Sequence, residues 1–305
     1  MTSADAVAQP APNLIGAYAV AAFAVVIWAG SPAATQLAVN EIEPVRVAIL
    51  RTVLAAAIAV PLVIIGRFPL PSGRNQWGLL AASSLIGFTA FTFLYTIGIS
   101  KTSTAHAALI LAGLPAVTGL VGAAFERKMP KRIWFIGIVI AMTGEVVLIA
   151  SSGGSSGGSG EATMEGDLIC LLGTFCSGIG YVTGSRLAPH VGAFGATFWA
   201  LLAAGFLQLP LLFILPGSVD WAALTPVGWG SLLYLVVLVG ILGYTAWYWA
   251  LSKGGVVRMA PVQFAQPLVS LVIAVGLFSE TLTPPLLAAA VLILAGIAVA
   301  RKGTT

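Results

Sequence analysis

Charge is scarce in this chain: 8% of its 305 residues are Asp, Glu, Lys or Arg, where soluble domains carry about a quarter. That scarcity excludes a water-soluble globule, because a chain of this size has too few polar side chains to cover the surface around its core. Cysteine is nearly absent. Cys170 and Cys176 stand six apart in one apolar run, on different faces of a helix. This excludes a disulfide framework or metal spacing and leaves two small apolar thiols. There are two histidines, and no Walker loop, HExxH or dinucleotide fingerprint, so no enzyme activity, metal or cofactor is expected. The loops between apolar runs are too short to hold a nucleotide-binding domain.

What is present is apolar sequence, 59% of the chain, with a mean hydropathy of +1.02. Ten runs have the length of a helix that crosses a bilayer, near 15–38, 44–66, 76–99, 104–125, 132–151, 166–187, 192–215, 227–251, 256–278 and 283–300. They predict an all-α integral membrane protein of ten transmembrane helices. Residues 1–14 lack a basic stretch and read as a disordered cytoplasmic tail rather than a signal peptide. Of the 14 Lys and Arg, eleven fall on the side of the N-terminus: Arg67, Arg74, Arg127, Lys128, Lys131, Arg132, Arg186, Lys253, Arg258, Arg301 and Lys302. Arg46 and Lys101 fall on the other side, and Arg51 lies inside a run. Positive charge gathers on the cytoplasmic side of membrane proteins. Both termini are therefore expected in the cytoplasm and the protein in the inner membrane. The net charge of +4 reflects this sidedness and does not point to nucleic acid.

The stretch SSGGSSGGSG at 151–160 divides the chain into five runs and five runs. Trp77 and Trp229, Lys101 and Lys253, and Pro115 and Pro267 recur in matching surroundings, each pair 152 residues apart. The spacing predicts two repeats of five helices, 15–150 and 166–301, joined by a flexible external linker, 151–165. An odd number of spans per half inserts the second copy upside down. This is the inverted-repeat plan of many secondary transporters, with the site near the midplane where the repeats meet. A ten-residue Gly/Ser tether spans roughly 17 Å and lets two bundles tilt; a neutral insertion or engineered linker explains it equally, and no function is placed on it.

Aromatic and polar side chains deep in a span mark a candidate cavity, since lipid leaves polar groups unsatisfied. Trp28 lies mid-span and is followed by Gly30 and Pro32, where the helix is expected to break. Gln263 and Gln266 are bracketed by Pro261 and Pro267, which predicts either a distorted helix facing a cavity or amides that glue neighbouring helices. Trp28, Tyr181, Gln263 and Gln266 are the first-choice cavity residues, and Tyr95, Trp199, Tyr244 and Trp247 the second. For Tyr95 and for 247–249 an interfacial aromatic belt is the competing explanation. An aromatic wall suits a cargo with a flat apolar side chain, and hydroxyls and amides suit the charged ends of an amino acid. Rocking about Gly30, Pro32, Pro115, Pro261 and Pro267 is expected to alternate access. Arg51 and Glu145 reach similar depths in spans two and five and are expected to form a structural ion pair. His106 opens span four as a polar helix-end residue, with a proton relay as the sharper alternative.

Several stretches resemble one family. IWAGSPAATQLA (27–38), EPVRVAILRTVLAA (43–56), GISKTSTAHAALILAGLP (98–115) and its counterpart ALSKGGVVRMAPVQFAQP (250–267) are similar to the EamA-type carriers of the drug/metabolite transporter superfamily. The chain looks most like the YddG-type exporters of aromatic amino acids. CSGIGYVTGSRLAP (176–189) matches the opening helix only loosely. The resemblance implies ten helices in two inverted repeats. It also implies secondary export of aromatic or large neutral amino acids and related metabolites by a monomer, with no nucleic-acid partner. Efflux of quaternary cations is the alternative and would draw on Glu145. A carrier of phosphorylated compounds would draw on Arg51 and Lys101, and a membrane enzyme would need a polar catalytic cluster that the sequence does not offer.

Overall fold

The computed structural model describes residues 14–126, 131–151, 162–215, 219–254, 260–279 and 282–302. Among the described residues the chain is helical throughout, with no strand. The tail to residue 13 and the Gly/Ser stretch from 152 lie outside them. Among the described residues six segments are long and apolar enough to cross a membrane: Leu14–Val39, Pro44–Gly66, Arg74–Ile99, Met164–Val191, Ala193–Ile214 and Pro226–Trp247. Shorter apolar helices accompany them at Arg132–Gly144, Val269–Phe278 and Pro284–Ala300. The outer surface is apolar too, with Ile15, Phe206 and Phe213 each more than 80% exposed. Only lipid makes such a surface inexpensive, so this is a multi-pass membrane protein.

The helices are α1 (Leu14–Ala29), α2 (Ser31–Val39), α3 (Pro44–Gly66), α4 (Arg74–Ala82), α5 (Phe91–Ile99), α6 (Thr104–Ala112), α7 (Leu114–Glu126), α8 (Arg132–Ser151), α9 (Met164–Val191), α10 (Ala193–Gln208), α11 (Leu211–Ile214), α12 (Pro226–Leu233), α13 (Tyr244–Gly254), α14 (Gln266–Phe278) and α15 (Pro284–Arg301). Two π-helical segments, Ser83–Ala90 and Tyr234–Gly243, continue α4 into α5 and α12 into α13, and a 3₁₀ segment, Ala260–Ala265, precedes α14.

Local chemistry sets many of these boundaries. Glu43 caps α3 by accepting from the N–H groups of Val45 and Arg46, with Pro44 in the first turn. Ser103, Thr163, Thr225 and Thr283 cap α6, α9, α12 and α15 in the same way. Such caps satisfy N–H groups that a helix start leaves open. Glu41 binds the same end of α12, accepting from the Thr225 hydroxyl at 2.6 Å and its N–H at 2.9 Å. Those bonds hold its carboxyl below the ordinary carboxylate range.

Boundaries recur along the chain at one spacing. The helices α4 and α12 begin at Arg74 and Pro226, α7 and α14 at Leu114 and Gln266, and α8 and α15 at Arg132 and Pro284; each pair is 152 residues apart. The two π segments fall into register under the same shift.

Small residues let the helices approach closely. The α8–α15 pair is the most extensive helix contact. There a Cβ on Gly137 would lie 2.3 Å from the Ala300 nitrogen, and one on Gly296 2.3 Å from the Ala141 nitrogen. Helices in lipid gain little from hydrophobic burial, so backbone approach through glycine supplies the attraction. Helix α10 lies on α3, α9 on α5, and α13 on α1.

Candidate functional site

The first span breaks at Gly30, between α1 and α2. Pro32 stands in the opening turn of α2 and has no N–H to continue the ladder. Neighbouring helices take up carbonyls at the break: the Tyr234 hydroxyl donates to Ile27 O at 2.8 Å and Ser270 Oγ to Ala29 O at 2.8 Å. A Cβ at residue 30 would lie 2.3 Å from the Tyr234 hydroxyl, so this approach requires glycine. The break is thus held by other spans, as non-helical backbone at membrane depth must be.

Just before it, Trp28 is buried, at 5% exposure, and its Nε1 donates a long 3.4 Å hydrogen bond to Val239 O in the second π segment. Its ring centroid lies 5.0 Å from Tyr244, 5.6 Å from Trp247 and 6.4 Å from Tyr181. Tyr244 in turn lies 5.6 Å from Phe88. Four candidates from the sequence therefore form one aromatic cluster contributed by three stretches of chain. Phe88 completes it. Trp247 packs inside this cluster at 3% exposure and is not a belt residue.

A narrow cleft runs beside the cluster and has about 330 Å³ of space, counted out to its mouth. Ser83, Gly87 and Phe88 line it from the first π segment; Ser177, Gly180, Tyr181 and Gly184 from α9; Ala196 and Thr197 from α10; and Tyr244 from α13. The first π segment and α9 cross here almost backbone to backbone, since a Cβ on Gly87 would lie 2.5 Å from Gly180 Cα. The lining combines rings with hydroxyls and includes no ionisable acid or base. Thr197 Oγ1 is buried without a hydrogen-bond partner among the described residues, a free polar atom at the cleft wall.

The remaining candidates stand elsewhere. Tyr95 is 1% exposed and donates to Ala107 O at 3.2 Å, tying α5 to α6. Trp199 donates to Pro69 O at 3.1 Å, beside the loop that follows α3. Gln263 and Gln266 are half-buried, on the 3₁₀ segment and at the start of α14, and do not line the cleft. The 3₁₀ segment packs against α1. The side chains of Pro115, Pro261 and Pro267 lie outside the described residues, but helical interruptions do stand at Gly113 and at Ala260–Ala265.

Glu145's side chain also lies outside the described residues, so its predicted pairing with Arg51 has no described geometry. Arg51 itself is 8% exposed, and its Nη1 has no hydrogen-bond partner among the described residues. Tyr95 and Tyr244 are close enough to feel its charge.

A buried polar network that the sequence did not reveal joins α6 to α9. Asp167 is fully buried; it accepts from Thr102 Oγ1 at 2.5 Å, and its other oxygen lies 2.9 Å from His106 Nδ1. Beside it Lys101 and Glu165 form an exposed ion pair at 2.7 Å. The only sequence signal for the network was Asp167 at a helix start, an ordinary position for an acid.

Comparison with known proteins agrees with this architecture. The EamA-like transporter family matches residues 15–150 and 164–301. The uncharacterized transporter YdeK of Bacillus subtilis is 28% identical over 281 residues, covering 91% of this chain and 94% of its own length. A Salmonella typhimurium protein named "Probable amino-acid metabolite efflux pump" is 27% identical over 285 residues, 90% of each chain. A solved crystal structure shares the fold, with a TM-score of 0.63 at 22% identity over 94% of this chain and 96% of that one. Matched along both halves, the chain belongs to the EamA-like transporter family.

Proposed function

We propose that this transporter exports amino acids with large apolar or aromatic side chains, and related metabolites, by alternating access of a midplane cavity, in the manner of the YddG-type exporters. The observation that carries the reading is the cleft itself: it is lined by the rings of Phe88, Tyr181 and Tyr244, with Trp28 packed behind them, and by the hydroxyls of Ser83, Ser177 and Thr197. Edge-to-face contact with such a wall favours a flat side chain, and the hydroxyls serve the polar end. The relative named for amino-acid metabolite efflux supports the same cargo class.

The ten spans form two inverted repeats of five, 15–150 and 166–301, in the inner membrane with both termini cytoplasmic. Support comes from the two family matches, from the helix starts that recur 152 residues apart and from the sidedness of Lys and Arg. The cleft residues Ser83, Gly184 and Ala196 lie within one to three turns of the helix ends at Arg74, Val191 and Ala193. Basic residues assign that end to the cytoplasm, so cargo enters this conformation from inside. Beyond the cluster Trp28, Tyr234 and Val239 close the path. Outward release then requires α1 and α2 to tilt at Gly30 while the π segments absorb the change.

Counterflow in proteoliposomes loaded with an amino-acid mixture tests this. Saturable exchange of labelled phenylalanine and tryptophan without ATP is the expected result. Exchange of a quaternary ammonium alone sinks the amino-acid reading.

A further inference from the structure

We infer that Arg51 is an anion anchor at the closed end of the cleft and receives the carboxylate of the cargo. The inference rests on the amino-acid reading above and narrows it to molecules with a free carboxylate.

A guanidinium in mid-span is costly, and natural proteins keep one there where it is paired or used. The same helix shows what pairing looks like. Arg46, five residues earlier, is also buried, and its Nη1 and Nη2 donate to Leu212 O and Leu215 O at 2.7 and 2.6 Å, closing the end of α11. Arg51 is buried to nearly the same extent, at 8% exposure, yet among the described residues its Nη1 meets no acceptor and no carboxylate pairs with it. Its electrostatic neighbours are two phenols, Tyr95 and Tyr244. Tyr95 is committed to Ala107 O. Tyr244 is both a wall of the cleft and an aromatic partner of Trp28. Tyr244 thus lines the cleft and lies within electrostatic reach of Arg51.

The chemistry follows from the donor set. The described lining of the cleft is neutral, so nothing there balances the negative end of an amino acid. An unfilled guanidinium N–H behind Tyr244 does so, and it does so best where water is excluded and charge-assisted hydrogen bonds are strongest. A cargo whose ring lies against Phe88 and Tyr181 then directs its carboxylate past the Tyr244 ring toward Arg51. An organic cation finds repulsion at the same place, which separates this site from one for quaternary ammonium.

The test compares an acid with its neutral isostere. Two readouts are used: counterflow of L-phenylalanine against L-phenylalaninamide, and thermal stabilisation of the purified protein by phenylacetate against phenylacetamide. The wild-type protein is expected to prefer the acid in both, by about tenfold or more in apparent affinity. Arg51→Gln should abolish the preference, and Arg51→Lys should retain it at weaker affinity. A wild-type protein that treats acid and amide alike overturns the proposal, as does an Arg51→Gln protein that still prefers the acid. Should Arg51→Gln fail to fold, the wild-type comparison and Arg51→Lys decide alone: a folded Arg51→Lys protein that keeps the preference at weaker affinity supports the anchor, and one that loses the preference overturns it. Glu145→Gln is expected to leave the acid preference intact; its loss there would overturn the anchor in favour of a structural pair. The two readouts also separate the proposals. Stabilisation by phenylacetate in the wild type and not in Arg51→Gln, without any amino-acid exchange, removes the transport reading and keeps the anion site. Exchange unaffected in Arg51→Gln does the reverse.

Discussion

Two helix crossings in this protein occupy matching places, 152 residues apart, and are packed in opposite ways. Where α9 crosses the first π segment, Gly180 meets Gly87, and a Cβ on either would lie 2.3–2.5 Å from the other's Cα. Where α1 crosses the second π segment, Trp28 stands in the place of Gly180 and Val239 in the place of Gly87. There the indole donates to the Val239 carbonyl and fills the space over Gly243, whose Cβ would lie 2.5 Å from Trp28 Nε1. One crossing is held by backbone contact and has a cleft beside it; the other is filled by a ring. In the function proposed above, side-chain volume at these two points decides which side is open.

Substitutions at these two points should show the largest effects. Gly180→Leu puts a side chain where only backbone fits, and overpacking costs about 3 kcal/mol; loss of the monodisperse folded peak in detergent is the expected readout. Gly276→Ala serves as its control, since nothing lies within 4 Å of a Cβ there, and helix propensity favours alanine by about 1 kcal/mol. Trp28→Ala should cost about 3 kcal/mol from the cavity it leaves and unplug the second crossing. Thermal unfolding should show the loss and counterflow a raised leak, while Trp28→Phe recovers most of both. If Trp28→Ala unfolds like the wild type and transports like it, the plug does not exist.

A smaller effect is expected from the network that joins the halves. Asp167→Asn weakens the acceptor for Thr102 and His106; a compromised buried hydrogen bond costs about 1–2 kcal/mol. A double-mutant cycle with His106→Ala should return a coupling energy above about 0.5 kcal/mol, and additivity would show that the two side chains act separately. The smallest effect belongs to Glu41. Thr225 lowers its pKa in the folded protein, so its contribution is present at neutral pH and is lost as pH falls through the lowered value. The difference in thermal midpoint between wild type and Glu41→Gln should therefore be full at pH 7 and shrink below about pH 4. A difference that is constant with pH would place its origin elsewhere.

The sequence made some parts of the site legible and hid others for physical reasons. Trp28, Tyr181, Tyr244 and Trp247 were visible because a ring with a polar atom at membrane depth needs a partner inside the protein. The break at Gly30 and Pro32 was visible because proline removes a donor. Phe88 was not, since phenylalanine in an apolar run is equally suited to lipid or protein. Gln263 and Gln266 drew attention by polarity, but polarity does not say which face of a helix meets the cleft. Tyr95 was ambiguous between surface and core until α6 was seen to supply its acceptor, Ala107 O. Asp167 carried no reading from the sequence, because only the register of α6 on α9 brings His106 to it.

The sequence alone determined that this chain lives in lipid, which segments become helices and where several of them start and break. Those outcomes depend on hydropathy, caps and proline, which act over a few residues. Only the tertiary structure decided which crossing packs backbone to backbone and which is filled by a ring, that Arg46 Nη1 and Nη2 find acceptors while Arg51 Nη1 finds none among the described residues, and that Asp167 and His106 meet. These depend on the register of helices far apart in sequence, and register is set by close packing of small residues such as Gly87, Gly180 and Gly205, whose effect appears only when both helices are present.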